Sequence, residues 1–158
     1  MSRFRNALER RLRSTSHRTF VLWPIVLFAA EFALRQDLPR INAWALPLLL
    51  WGYLQYRLVG NYRLREGGGG PGLSHPPERL VTGGLYRWTR NPMYLGHLIF
   101  IAGLALALGS WIGVTVLVFH MVWFDRRVRG DEAHLAEIFG APYRDYLARV
   151  KRWVPGIF

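Results

Sequence analysis

From Tyr94 to Phe124 the chain carries no Asp, Glu, Lys or Arg, a run of 31 residues in which only His97 and His120 titrate. Roughly 20 apolar residues cross a bilayer core once, so the run fits two crossings better than one. Gly109, Ser110 and Gly113 lie near its middle and predict a tight turn, with one helix from about Pro92 to Gly109 and the next from about Trp111 to Phe124. Pro92 suits the first turn of a helix and Asn91 the capping position before it. Two more apolar blocks, Phe20–Leu34 and Ile41–Leu58, precede this run. The expectation is an all-α, integral-membrane protein of about four transmembrane helices in two hairpins, followed by short cytoplasmic C-terminal helices.

Charge placement orients this arrangement. The 158 residues hold 21 basic and 10 acidic side chains, a formal charge of +11. Residues 1–18 carry six Arg, residues 57–90 six more, and residues 126–152 six Arg and Lys151. Four crossings put all three segments on one side, which collects 19 of the 21 positive charges. That asymmetry predicts both termini in the cytoplasm. A nucleic-acid partner is set aside, because no soluble body is left to carry a basic surface. The chain lacks Cys, which excludes disulfides and thiolate chemistry.

Residues 1–158 therefore read as one domain in five parts. Residues 1–18 form a basic segment whose Phe4, Leu8 and Leu12 recur at helical spacing, as in a helix lying on anionic lipid. Residues 19–62 form the first hairpin, with crossings at about Thr19–Leu34 and Asn42–Tyr62. Residues 63–91 are a cytoplasmic loop, 92–124 the second hairpin, and 125–158 the C-terminal helices, the last at about Pro142–Trp153. Gly67, Gly69 and Gly72 satisfy G-x-G-x-x-G, but no strand precedes them, so a dinucleotide fingerprint is rejected. Glu31 with Arg35 reads as an ion pair at a helix end. His97 and His120 lie in crossings, where an ionisable residue is a functional candidate; the five His show no metal-ligand spacing, and no metal is expected.

Two polar constellations remain. Leu80–Gly96 is rich in Gly, Arg and aromatics and leads into the long apolar run; Arg127–Glu132 sets adjacent carboxylates beside Arg side chains below the last crossing. Helices joined by a tight turn are antiparallel neighbours, so Asn91–Gly96 is expected near Arg127–Glu132. Ionised Asp131 and Glu132 only accept hydrogen bonds and suit either a solvated helix face or the hydroxyls and ammonium of a polar ligand.

These segments carry a resemblance. Gly84-Leu-Tyr86-Arg-Trp-Thr-Arg90-Asn91-Pro92-Met-Tyr94-Leu-Gly96, then Arg127-Val-Arg-Gly-Asp131-Glu132, then Phe139-Gly140-Ala-Pro-Tyr143-Arg-Asp-Tyr146, running on to Val150, Arg152 and Pro155, resemble the membrane-embedded methyltransferases that include isoprenylcysteine carboxyl methyltransferases and phospholipid N-methyltransferases. The match covers about residues 80–155. Asn91 stands where the carboxyl methyltransferases commonly have His, closer to the phospholipid branch and bacterial relatives, and Asp131 replaces a Glu. The resemblance implies S-adenosylmethionine as cofactor, held by Asn91, Pro92, Met93, Tyr94, Leu95, Gly96, Asp131, Glu132 and Tyr143. It implies a lipophilic methyl acceptor: a prenylcysteine-like carboxylate, a phospholipid amine or a hydrophobic small molecule. Arg90 or Arg127 would orient an anionic acceptor, and Glu132 or a Tyr would take the proton from an amine. The implied setting is a bacterial inner membrane. An NADPH-dependent sterol-reductase-like enzyme and a non-catalytic protein that keeps the fold are the alternatives.

Overall fold

The computed structural model describes residues 14–70 and 76–153. The expected basic helix at 1–18 falls almost wholly outside the described residues, as do Gly72, Ser74, His75 and Pro155. Every regular element among the described residues is helical. Helix α1 is Thr15–Arg35, with a π-helical turn at Arg18–Leu22. Helix α2 is Leu46–Gly67, α3 Pro92–Leu108, α4 Trp111–Phe139 and α5 Ala141–Arg149. A 3₁₀ turn at Ala43–Ala45 leads into α2 and another, Gly84–Arg87, precedes α3. Among the described residues one helix, Thr15–Arg35, is by length and composition apolar enough to cross a membrane; Pro92–Leu108 is apolar but shorter. The other long helices become charged along their length, α2 at Arg57 and α4 at Asp125.

Two compact units divide the chain, and α2, α3 and α4 each contribute to both. The first comprises residues up to Tyr53 with His97–Val118. Leu27, Ile101, Leu104, Leu108 and Val116 form its core, with Trp23, Leu49 and Phe100 against it. Close backbone approach explains two of its glycines. A Cβ at Gly103 would lie 2.9 Å from the Leu49 nitrogen, and one at Gly113 would lie 2.9 Å from the Ala105 Cα. The predicted turn between α3 and α4 forms at Gly109, whose φ of 55° is left-handed and favours a residue without a Cβ. Ser110 then caps α4, its Oγ accepting the Gly113 N–H at 2.9 Å. Arg35 donates to the carbonyls of Leu108 and Gly109 at 3.1 and 3.0 Å and pairs with Glu31 at 2.7 Å. The expected Glu31–Arg35 pair thus also staples the end of α1 to the α3–α4 turn. His97 is fully buried and stacks on Phe20 at 4.7 Å between ring centres.

The second unit comprises Leu54–Gly96 with residues from Phe119 onward. Val59, Val81, Tyr86 and Met93 are its apolar centre, packed by Tyr56 and Tyr62. Gln55 donates to the Pro92 carbonyl at 2.9 Å. His120 packs among Phe119, Trp123 and Phe124.

Three expected boundaries move. Helix α2 passes Tyr62 and runs to Gly67, where the Gly67 carbonyl accepts from the Glu78 and Arg79 amides; the loop's return fixes the helix end. Helix α4 continues through Phe124 to Phe139, braced by the Asp125–Arg129 pair at 2.8 Å, one turn apart. Helix α5 stops at Arg149 instead of reaching Trp153, because Val150 turns extended and the Lys151 and Arg152 carbonyls accept bonds from residues 89–91.

Candidate functional site

A cavity of about 240 Å³ lies within the second unit. Helix α3 supplies Met93 and Tyr94 from its first turn, α4 supplies Asp131, Leu135 and Phe139, and α5 supplies Tyr143 and Tyr146. Arg63, Tyr86, Arg90, Asn91 and His134 complete its polar and aromatic lining. Of the residues singled out from sequence, Arg90, Asn91, Met93, Tyr94, Asp131 and Tyr143 line this cavity; Pro92, Leu95, Gly96, Arg127 and Glu132 do not.

The two sequence constellations touch, as the hairpin argument requires. The Tyr94 hydroxyl donates to Asp131 Oδ2 at 2.8 Å and accepts from Arg127 Nε at 2.8 Å. A neutral phenol thereby bridges a carboxylate and a guanidinium, fixing the Asp131 side chain at the cavity wall. Packing of Tyr94 on Phe124, 4.9 Å between ring centres, holds the phenol ring.

Glu132 is the centre of a second network. It is buried, and its carboxylate takes Arg152 Nη2 at 2.8 Å and Arg152 Nε at 3.2 Å. Arg90 Nε lies 3.0 Å from Glu132 Oε1, and Asn91 Nδ2 reaches the same oxygen at 3.5 Å. Arg152 also contacts Asp125 Oδ1 at 3.3 Å, an oxygen shared with Trp153 Nε1 at 3.1 Å. The backbone completes the lock. The Arg90 N–H donates to the Lys151 carbonyl at 3.0 Å, Thr89 Oγ1 to the Arg152 carbonyl at 2.9 Å, and Arg90 Nη1 to the Leu147 carbonyl at 3.0 Å. Residues 147–153 are therefore a strap tied across residues 89–91, with the Glu132 carboxylate beneath it. Its charge is met by two guanidinium groups, which offsets the cost of burying it.

Electrostatics follow the geometry. Burial pushes the Tyr86 phenol up to about 12 despite nearby Arg63. Burial raises Tyr143 and Tyr146 further, assisted by the Glu132 charge at Tyr143 and by the neighbouring Tyr143 and Tyr86 phenols at Tyr146. The cavity's aromatic wall is thus neutral at physiological pH. Burial also acts to raise Asp125, but hydrogen bonds from Trp153 and Arg129 and the charges of Arg129 and Arg152 outweigh it and lower its carboxyl. Hydrogen bonding to Glu132 raises Arg152.

Sequence reasoning passed over Arg63, Tyr86, Phe139 and Tyr146 as lining residues and Arg152 as the partner of Glu132. All but Arg63 stood within the quoted motif segments and carried that signal. Arg63 lies in the part of α2 read as loop, and its Nη2 donates to the Gly70 carbonyl at 2.9 Å.

Comparison with known proteins places these features. The phospholipid methyltransferase family model matches residues 70–142. The protein-S-isoprenylcysteine O-methyltransferase of Schizosaccharomyces pombe is 35% identical over 78 residues, covering 48% of this chain and 33% of that protein. The Saccharomyces cerevisiae enzyme of the same name is 35% identical over 80 residues, covering 49% and 33%, and that of Dictyostelium discoideum is 30% identical over 79 residues, covering 49% and 33%. The chain thus spans about a third of the length of these curated relatives. Among solved structures, a eukaryotic intramembrane Ras methyltransferase, isoprenylcysteine carboxyl methyltransferase, superposes with a TM-score of 0.63 at 21% identity, over 92% of this chain and 54% of that one. This likeness concerns the fold. The stretch matched by the phospholipid methyltransferase family model, residues 70–142, takes in most of the residues that line the cavity.

Proposed function

We propose that the protein is an integral-membrane methyltransferase that uses S-adenosylmethionine and methylates a lipophilic acceptor. One observation carries this: a cavity built from the start of α3 and the Asp131 turn of α4, within the residues the family model matches. The lining fits the cofactor's chemistry. Asp131 offers a carboxylate to a cationic centre, Arg63 offers a guanidinium group to a carboxylate, and Tyr86, Tyr143 and Tyr146 offer flat faces to a base. When bound, the cofactor supplies an electrophilic methyl group on a sulfonium.

The chain's task is then alignment. Asn91, Met93, Tyr94, Asp131 and Tyr143 hold the cofactor; Pro92, Leu95 and Gly96 fix the backbone of that helix start. Arg90, presented at the cavity wall by Glu132 and the Leu147 carbonyl, orients an anionic acceptor. Arg127 acts through Tyr94, and Glu132 acts through Arg90 and Arg152. Alignment of this kind supplies up to roughly 7–11 kcal/mol of a barrier in ideal cases, and an enclosed cavity keeps water from the methyl donor. Arg90 in the wall favours a carboxylate or phosphate acceptor, such as a prenylcysteine, over an amine. The four-crossing topology with cytoplasmic termini belongs to the same proposal, with a bacterial inner membrane as its setting.

The test is binding and transfer with methyl-labelled S-adenosylmethionine and protein purified in detergent. Binding is expected, and Asp131→Asn weakens it about tenfold, the loss of one charge-assisted contact of 1.5 kcal/mol or so. Label transferred to a prenylcysteine analogue is expected to be released by base as methanol, as from an ester. Displacement by NADPH, or no binding of the methyl donor, refutes the proposal.

A further inference from the structure

The short turn before α3 presents two opposite faces. Tyr86 at its centre is buried and lines the cavity, while Leu85, Arg87 and Trp88 around it are exposed, Trp88 to 64%. The strap extends this outer face, because residues 89–91 are bonded to residues 147–152. Segments 84–91 and 149–153 together contain five basic residues and no acid. Arg90 and Arg152 face Glu132, while Arg87, Arg149 and Lys151 are exposed.

An exposed Trp and Leu beside three exposed cations match the chemistry of the bilayer's polar interface, where indoles settle and cations meet anionic headgroups. Reach supports this occupant. Pro92 lies four positions after Trp88, at most about 14 Å of chain, and it opens the apolar helix α3. If α3 enters the membrane there, Trp88 cannot stand far outside a headgroup layer that is itself about 5–8 Å deep.

We propose that Leu85, Arg87 and Trp88, with Arg149 and Lys151, form a foot that rests in the anionic headgroup layer of the membrane holding the chain. Tyr86 lies in the same turn, so the foot sets the depth of the cavity wall where a lipid-borne acceptor arrives. This rests on the membrane placement proposed above.

The chain has no Cys, so one introduced thiol carries a fluorophore to one place. Leu85→Cys, Glu137→Cys and Phe119→Cys are labelled with an environment-sensitive dye and placed in phosphatidylcholine nanodiscs with and without phosphatidylglycerol. Glu137 is the aqueous control, its side chain 80% exposed; Phe119, 61% exposed on the apolar part of α4, is the bilayer control. Iodide quenching at position 85 is expected to be at least about threefold weaker than at 137, weaker still with the anionic lipid. Both differences are expected to shrink in Trp88→Gln and Arg87→Gln backgrounds. Equal quenching at 85 and 137, with deep spin-labelled lipid still quenching position 119, overturns the foot and leaves the membrane placement standing. Absence of that deep quenching at 119 overturns both. Shielding at 85 that ignores anionic lipid overturns the headgroup assignment.

Discussion

Glu132→Gln tests the lock beneath the strap. The substitution keeps side-chain volume but removes the charge that faces Arg152 at 2.8 Å and Arg90 at 3.0 Å. Glu132 is 7% exposed and the Arg90 and Arg152 side chains 12% and 22%, so water replaces the lost partner poorly. Breaking a fully buried pair from one side costs about 3–5 kcal/mol. Partial access to Arg152, and the Asp125 carboxylate it retains, pull the expected loss to the low end, about 2–3 kcal/mol. The assay is reversible unfolding in mixed micelles, titrated with denaturing detergent. The double-mutant cycle adds Arg152→Met alone and with Glu132→Gln; a coupling of at least about 1 kcal/mol is expected between the sites. A Glu132→Gln protein within about 0.5 kcal/mol of the parent, or additive single effects, refutes the idea that this carboxylate carries the strap.

Other consequences are open to measurement. Gly113→Val pushes a side chain into the Ala105 backbone and is expected to cost about 1–3 kcal/mol as overpacking, read in the same unfolding assay. Tyr146→Phe removes the 2.7 Å bond to the Tyr86 carbonyl, with an expected loss of about 1–2 kcal/mol and weaker methyl-donor binding as the wall loosens. Asp125 has its carboxyl lowered in the fold, so it contributes stability above the ordinary Asp range that is lost as pH falls through its lower folded value. An unfolding series below pH 4 is expected to lose that increment in the parent, and Asp125→Asn to flatten this part of the profile.

Much of the local structure was legible because its causes are local. Pro92 after Asn91 marked the start of α3, Gly109 and Ser110 marked the hairpin turn, and the meeting of Tyr94 with Asp131 followed from antiparallel geometry. Other features depend on chain paths that no periodicity records. The pairing of Arg152 with Glu132 exists because the chain leaves the helix at Val150 and the Lys151 and Arg152 carbonyls bond to residues 89–91, and the sequence there reads like the tail of a helix. For the same reason Glu132 read as a ligand acceptor, while the structure gives its carboxylate two guanidinium partners. The last turn of α2 read as loop because its apolar pattern had already faded into Arg and Gly, yet that turn holds Arg63 at the cavity.

The strap also has a consequence in time. Tyr146 and the Tyr86 carbonyl it seals are separated by 60 positions, and Lys151 closes on Arg90 across a similar gap. At synthesis rates of about 5–20 residues per second, the 86–91 segment waits roughly 3–12 s for its partner to be made. The α3–α4 hairpin, by contrast, closes on neighbours only a few residues apart, such as Ser110 with Gly113 and Ala105. Biogenesis therefore runs in two stages. The hairpin assembles early, and the cavity stays an open, half-walled surface until the strap is translated and tied down.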